Sequence, residues 1–395
     1  MDTLLATASP VWIAEDGSGL DSFRRLVEQS PDRSEYPNCA AIEGRVPIYD
    51  AADVMAKLEA PSEIRAIQAE WNAILDRGPG AVVLRGAYPD TGIVDEVTSV
   101  LQGIIKAEAA AKSGRGDHFG KQGANARVWN AHEKLCVANP EAYIGYNANP
   151  MIALVSRAWL GPLYQLTAQV NVVYPGGAAQ VPHRDYHMGF QTIEQLQHYP
   201  ANAHRLSASL TLQGAIAHCD MPVESGPTKL LPYSQLYLPG YLAAQLDEFR
   251  TYFEAHFVQV PLQKGDMLYF NPALFHAAGT NRTSDVVRFA NLLQIGSGYG
   301  RSIEIVNRGR MSKIVFPVLA EMRKAGQIDS REVEYVIAAT AEGYPFPTDL
   351  DVDSPLTGLA PASQQDIIRE ALRDGWDATR FSTAIADYEK VRRHS

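Results

Sequence analysis

Val181-Pro182-His183-Arg184-Asp185-Tyr186-His187 is the stretch on which the reading of this chain turns. In an extended segment alternate side chains share a face, so His183 and Asp185 project together and can grip one metal ion. A third ligand must then be found. His276 follows the strand-like run Gly265-Asp266-Met267-Leu268-Tyr269-Phe270 and sits in a short polar turn, Phe275 to Asn281. His187 has the same parity as His183 and Asp185 and competes for the place. Two imidazoles and a carboxylate on one side of an ion leave its other positions open, the arrangement of non-haem Fe(II) oxygenases. An HxD pair by itself is more often a plain hydrogen-bonded pair, so the remainder of the chain has to decide.

The pieces around that stretch are Ala81-Val82-Val83-Leu84-Arg85-Gly86, then Glu224-Ser225-Gly226-Pro227-Thr228 running on to Leu231-Pro232-Tyr233-Ser234-Gln235. After these come Lys264-Gly265-Asp266, His276 with Gly279 and Asn281, and Arg288. In order and spacing this set resembles the phytanoyl-CoA dioxygenase family of Fe(II)/2-oxoglutarate-dependent oxygenases, over roughly residues 80 to 295. The resemblance implies a mainly β fold with surrounding helices, a double-stranded β-helix (jelly-roll, cupin-like) core. It also implies that His183, Asp185 and His276 hold iron, which leaves His187 as a substrate-pocket residue or one that orients a ligand from behind. Arg288 would then pair with the distal carboxylate of 2-oxoglutarate. O2 is the remaining co-substrate, succinate and carbon dioxide are the co-products, and hydroxylation is the default outcome, with desaturation or ring closure as variants. The family's PGSH-like turn reads Pro232-Tyr233-Ser234-Gln235 here, and the residues after about 300 have no counterpart in it.

Bulk properties bound the function. The chain has 395 residues, 46% of them hydrophobic and 20% charged, the balance of a soluble globular protein. A formal net charge of −10 repels phosphate backbones and anionic bilayers, which argues against nucleic acid and membranes and for a small-molecule substrate. Three cysteines, Cys39, Cys136 and Cys219, suggest neither a disulfide framework nor a zinc finger. With no basic, apolar leader at Met1 and no run of ~20 apolar residues, the expected location is cytoplasmic.

Along the chain, residues 1–80 read as an N-terminal arm and a helix starting at Ser62, with Ile64, Ile67, Trp71, Ile74 and Leu75 at helical spacing. Ala81 to Leu84 reads as a buried strand and Asp90 onward as a helix. Between Ser113 and Asn130 the pattern dissolves into glycine and polar residues, a loop expected either over the active-site mouth or as a solvated loop stapled by Trp129. It offers Lys121 as a co-substrate contact and Arg127 and Trp129 as substrate contacts. Residues 139 to 165 read as helical, closing at Gly161. Leu166 to Tyr174 alternates as a half-buried strand whose polar side brings Gln169 toward the co-substrate and Asn171 toward the substrate.

Residues 205 to 220 read as a strand carrying Gln213, a further co-substrate candidate. Tyr241 to His256 reads as a helix. Phe257 to Phe270 reads as a hairpin delivering His276. On the strand Val286 to Ile295, Arg288 shares a face with Ala290, Leu292 and Gln294, where a charge requires a partner: a structural carboxylate, or a bound dicarboxylate gripped by its planar fork. Residues 301–395 read as a helical C-terminal extension packed on an 81–300 oxygenase core, with a Pro-rich break at 343–361 and a capping signal at Ser363; it is the candidate contact of a homodimer. Two other classes use the same residues: a zinc-dependent hydrolase on the same three ligands, and a non-catalytic small-molecule-binding barrel.

Overall fold

The computed structural model describes residues 11–14, 19–111, 125–355 and 358–392. Among them ten strands occur: β1 (Ala41–Glu43), β2 (Val46–Asp50), β3 (Ala81–Arg85), β4 (Asn125–Val128), β5 (Gln165–Val173), β6 (Thr211–Ala217), β7 (Lys229–Leu231), β8 (Met267–Phe270), β9 (Phe275–Ala277) and β10 (Arg288–Gly296). Eight form one twisted layer in the order β1-β2-β3-β8-β6-β10-β5-β4, antiparallel except for β2 on β3. The other two, β7 and β9, start a smaller layer that single bridges widen at both edges, His183 to His276 on one side and Leu230 to Val258 on the other. An apolar cluster that includes Val83, Leu230, Leu268, Phe270 and Leu274 fills part of the space between the layers. Two antiparallel layers closed on each other in this way are a jelly-roll core.

The large layer is covered on its outer face too. Helices Pro61–Asp76, Gly92–Ala110 and Pro150–Leu160 share one apolar cluster with Arg308–Lys324, Ser330–Thr340 and Ala378–Lys390, seen in Trp71, Leu101, Ile152, Phe316, Ile337 and Phe381. Phe316 and Phe381 stack at 4.0 Å between centroids. This double cover explains why β5 and β10 are buried almost throughout although their sequences alternate: the apolar side meets helices and the polar side meets the barrel interior. Ser363 caps helix Gln364–Asp374 through the reciprocal bonds to Asp366 that the sequence signalled. No helix among the described residues is long and apolar enough to cross a membrane.

Several local expectations need correction. The N-terminal arm is not merely a wrap, because β1 and β2 extend the large layer from β3. Its helix starts at Pro61, whose fixed φ suits a first helical position, one residue before the expected cap. Residues 125–128 form an edge strand on β5, whereas the rest of the expected loop from 113, Lys121 included, lies outside the described residues up to 124. The 205–220 strand begins only at Thr211. Before it Ala201–Ser209 is a helix that buries Ala201, His204 and Ser207 at threefold spacing, a period that the Leu-Ser-Ala-Ser-Leu alternation concealed.

The 257–270 hairpin does not form either. Val258 pairs with Leu230 and Leu262 with Met221, so this segment edges the small layer while β8 joins the large one. The helix expected over Tyr241 to His256 is two, Gly240–Ala243 and Asp247–His256.

Candidate active site

His183 and His276 exchange backbone hydrogen bonds, His183 N–H to His276 O at 3.0 Å and His276 N–H to His183 O at 3.2 Å. The bridge sets their rings side by side, 4.5 Å between centroids. Two residues on, the Asp185 N–H bonds Pro272 O at 2.9 Å, which keeps the segment extended and turns the carboxylate to the same side. Asp185 Oδ2 lies 3.7 Å from His183 Nε2 and 3.5 Å from His276 Nε2. The three groups offer ligand atoms all within 4.8 Å of one another.

The hydrogen-bonding state of the rings tests whether a metal fits. His183 Nδ1 meets Val181 O at 2.8 Å and His276 Nδ1 meets Leu274 O at 2.8 Å. A carbonyl only accepts, so each Nδ1 is the donor, and the atom that a neutral ring turns toward Asp185 is an Nε2 lone pair. Burial, reinforced by neighbouring His276, pushes the His183 pKa below its ordinary value and favours that neutral form. Two lone pairs and a carboxylate oxygen then face one another at van der Waals distance. That is unfavourable without a cation between them and is the donor set of a divalent first-row metal.

Arg184 holds the segment from behind. Its guanidinium donates to the carbonyls of Ser234 and, at 2.9 Å, Tyr237, and lies 5.2 Å from the ring centroids of both Tyr241 and Phe275. Gly240 makes room for it: a Cβ there would stand 1.9 Å from Arg184 Cζ. Gly240→Ala is therefore expected to destabilise the protein by about 1–3 kcal/mol through overpacking. Thermal melting reads this, and an unchanged melting temperature contradicts it.

Arg288, at the start of β10, is 5% exposed, and its Nη1 donates to Ser225 O at 3.0 Å and Gly279 O at 3.3 Å. Among the described residues no carboxylate forms a salt bridge with it, so the structural alternative of the sequence reading is not what the fold provides. Burial lowers its pKa to about 10, which still leaves it cationic at neutral pH. It lines the same cavity as His183, Asp185 and His276, a space of ≈ 490 Å³. That is the size of a pocket for one small organic molecule.

The other sequence candidates divide. Gln169, Asn171, Arg127 and Trp129 line this cavity from β5, β4 and the turn after β4. Asn171 Oδ1 is buried there without a hydrogen-bond partner among the described residues. Arg127 donates to Gln169 Oε1 at 2.8 Å and lies 5.0 Å over the Trp129 ring. Gln213 also lines the cavity, yet its amide donates to Asp185 Oδ2 at 2.9 Å.

His187 does not line the cavity. The chain turns there with φ +48°, which ends the extended parity, and its Nε2 meets Thr211 Oγ1 at 3.3 Å. Sequence reasoning missed Tyr186, whose hydroxyl accepts from Gln213 at 3.1 Å; strand parity pointed it away from the centre, and no sequence signal marks that turn. Gln294 it placed on the face of Arg288, without a role. His218 of the His218-Cys219-Asp220 run is tied to Thr98 and Tyr146, both at 2.7 Å, on the helical side.

A model of the family described as "Phytanoyl-CoA dioxygenase (PhyH)" matches residues 58–290. No curated protein matches the sequence. Among solved structures, similarity is found to the non-heme alpha ketoglutarate dependent epimerase SnoN from nogalamycin biosynthesis, 20% identical over 60% of this chain and 82% of that one, with a TM-score of 0.42. SnoN in complex with Fe3+, alpha ketoglutarate and nogalamycin RO gives 21% over 60% and 85%, TM-score 0.41. The non-heme alpha ketoglutarate dependent carbocyclase SnoK from the same biosynthesis gives 17% over 62% and 90%, TM-score 0.45.

Proposed function

The chain belongs to the phytanoyl-CoA dioxygenase (PhyH) family of Fe(II)- and 2-oxoglutarate-dependent oxygenases, and from that premise we propose that it oxidises a small organic substrate, hydroxylation being the ordinary outcome, with release of succinate and carbon dioxide. The observation that carries this reading is the meeting of His183, Asp185 and His276 in one cavity with a buried arginine that lacks a carboxylate partner among the described residues. His183 Nε2, His276 Nε2 and Asp185 Oδ2 would hold the iron, and Arg288 the far carboxylate of 2-oxoglutarate. Bound there, the metal supplies oxygen activation and one-electron chemistry, which no side chain provides.

The protein's own part is to bind, orient and exclude water. Arg288 fixes one end of the co-substrate and so sets its direction from β10 toward the three ligands. Asp185 offsets part of the metal's charge with a single anion. Leu292 and Phe270, with Trp129 and Phe190 further out, give the cavity apolar walls that keep water from competing for the reacting position. Arg127, Trp129 and Asn171 are the residues assigned to the substrate, with Gln169 setting the Arg127 guanidinium.

Protein loaded anaerobically with Fe(II) and then given 2-oxoglutarate and air is expected to release succinate. The Zn(II)-loaded protein is expected to release none, because zinc has no redox chemistry. Succinate formation indifferent to the metal, or absent with Fe(II) across a substrate panel, refutes the proposal.

A further inference from the structure

Gln213 has a more particular place than the cavity wall. It lies on β6 between β8 and β10, paired with Phe270 on one side and Gln294 on the other. The Phe270 ring packs edge-on against His276, 4.8 Å between centroids, so this rung of the sheet already backs one of the three candidate ligands. The Gln213 amide backs another. Its Nε2 donates at 2.9 Å to Asp185 Oδ2, the same oxygen that faces both imidazoles. A carboxylate only accepts, so the nitrogen must be the atom on that side and the amide cannot be flipped.

Its second contact is again through Nε2, to the Tyr186 hydroxyl at 3.1 Å, and Gln213 Oε1 is buried with no partner. Leaving a buried acceptor unsatisfied costs free energy, so the orientation is selected by the nitrogen alone. Beyond it Gln294 Oε1 accepts from Gln169 Nε2 at 3.2 Å, and Gln169 Oε1 accepts from Arg127 Nη1 at 2.8 Å. The amides thus form a row across β6, β10 and β5 that reaches Arg127 on β4, and Asp185 is anchored at its inner end. Gln213 pairs with Gln294, six residues along β10 from Arg288, about 20 Å of strand. Both N–H groups of Gln213 Nε2 are taken, by Asp185 and by the Tyr186 hydroxyl; it is distant from the end of a diacid held at Arg288 and has no donor left for the other end.

We propose that Gln213 is a positioning residue of the metal centre: its Nε2 fixes Asp185 so that Oδ2 is the oxygen presented to the ion, and it makes no contact with 2-oxoglutarate. This rests on the reading of His183, Asp185 and His276 as metal ligands. Outer-sphere hydrogen bonds of this kind orient a ligand and change metal affinity by about 10–100-fold.

The test uses the full-length protein, Co(II) as a redox-inert probe followed by its visible absorption, and N-oxalylglycine as a non-reacting analogue of 2-oxoglutarate. In Gln213→Leu the Co(II) Kd is expected to rise by about 10–100-fold and the d–d bands to shift. The N-oxalylglycine Kd at saturating Co(II) stays within about threefold, since no contact to it is removed. Gln213→Met keeps the length and removes the donor without adding a charge; it is expected to lose Co(II) likewise, and it answers if the leucine variant fails to fold. Unchanged Co(II) affinity and spectrum in a folded variant overturns the proposal. So does a weakened N-oxalylglycine affinity with Co(II) binding intact, which returns Gln213 to the co-substrate. Wild-type protein that ignores Co(II), or Asp185→Ala that binds it as tightly as wild type, defeats the metal reading itself and this proposal with it.

Discussion

Asp185→Ala is expected to abolish succinate formation from 2-oxoglutarate while leaving the protein folded. The substitution removes the only anion of the three-group cluster and leaves two imidazoles 4.5 Å apart, with no negative charge to balance a divalent ion. Loss of a direct ligand exceeds the loss of an outer-sphere partner, so metal affinity should fall by more than ~100-fold. Folding should be affected only modestly, because the one hydrogen bond this carboxylate accepts from a side-chain amide is that of Gln213 Nε2, whose loss costs about 1–3 kcal/mol. The prediction thus separates a metal site from a structural cluster. If the triad merely stitched the segment to β9, the melting temperature would drop and turnover would survive in the folded fraction. Succinate release, a Co(II) titration and a thermal melt decide it; turnover within tenfold of wild type sinks the metal reading.

How much of this was legible beforehand follows from what each element depends on. The spacing of His183 and Asp185 carried its own geometry, since residues two apart in an extended segment share a face whatever surrounds them. The alternation around Arg288 likewise placed Ala290, Leu292 and Gln294 beside it, and the structure lines the cavity with all four. His187 obeyed the same parity and failed, because extended geometry ends at Tyr186 and His187 takes a left-handed φ, which a histidine's composition does not announce. The third ligand could not be chosen from spacing. The structure brings His276 beside His183 and Asp185 through the bridge between the two histidines, a pairing of distant segments that local pattern cannot contain.

The errors at Ala201–Ser209 and at Val258 to Leu262 have a related origin. Ala and Ser tolerate helix and strand alike, so burial of His204 and Ser207 decided the first. A single bridge to Leu230 rather than to β8 decided the second. The polar faces of β5, β6 and β10 follow the same logic in reverse. Gln169 and Gln213 read as pocket candidates from the alternation of their strands, but alternation does not say what covers a polar face; with Gln294 they are buried because the smaller layer closes over them.

Arg288→Gln is expected to raise the KM for 2-oxoglutarate on the order of 100-fold, with kcat at saturating co-substrate changed by less than ~10-fold. Truncating one partner of a buried, charge-assisted pair costs about 2–5 kcal/mol. The lower part of that range applies here, because glutamine keeps a donor that can reach toward Ser225 O and Gly279 O, the acceptors of Nη1. The loss falls on KM because the guanidinium holds the far end of the co-substrate equally before and during reaction, which is uniform binding. Arg288→Lys should recover only part of it, since an ammonium lacks the planar fork that matches a carboxylate. The pH dependence carries the same signature. Burial lowers this arginine to about 10, so the cation is present at neutral pH and affinity for the dianion should decline as pH rises through about 10. The glutamine variant has no such group, and its weaker affinity should be flat across that range. Steady-state kinetics at pH 7.5 and N-oxalylglycine binding from pH 7 to 10.5 measure both effects; a variant whose KM stays within threefold of wild type would leave the co-substrate anchored elsewhere.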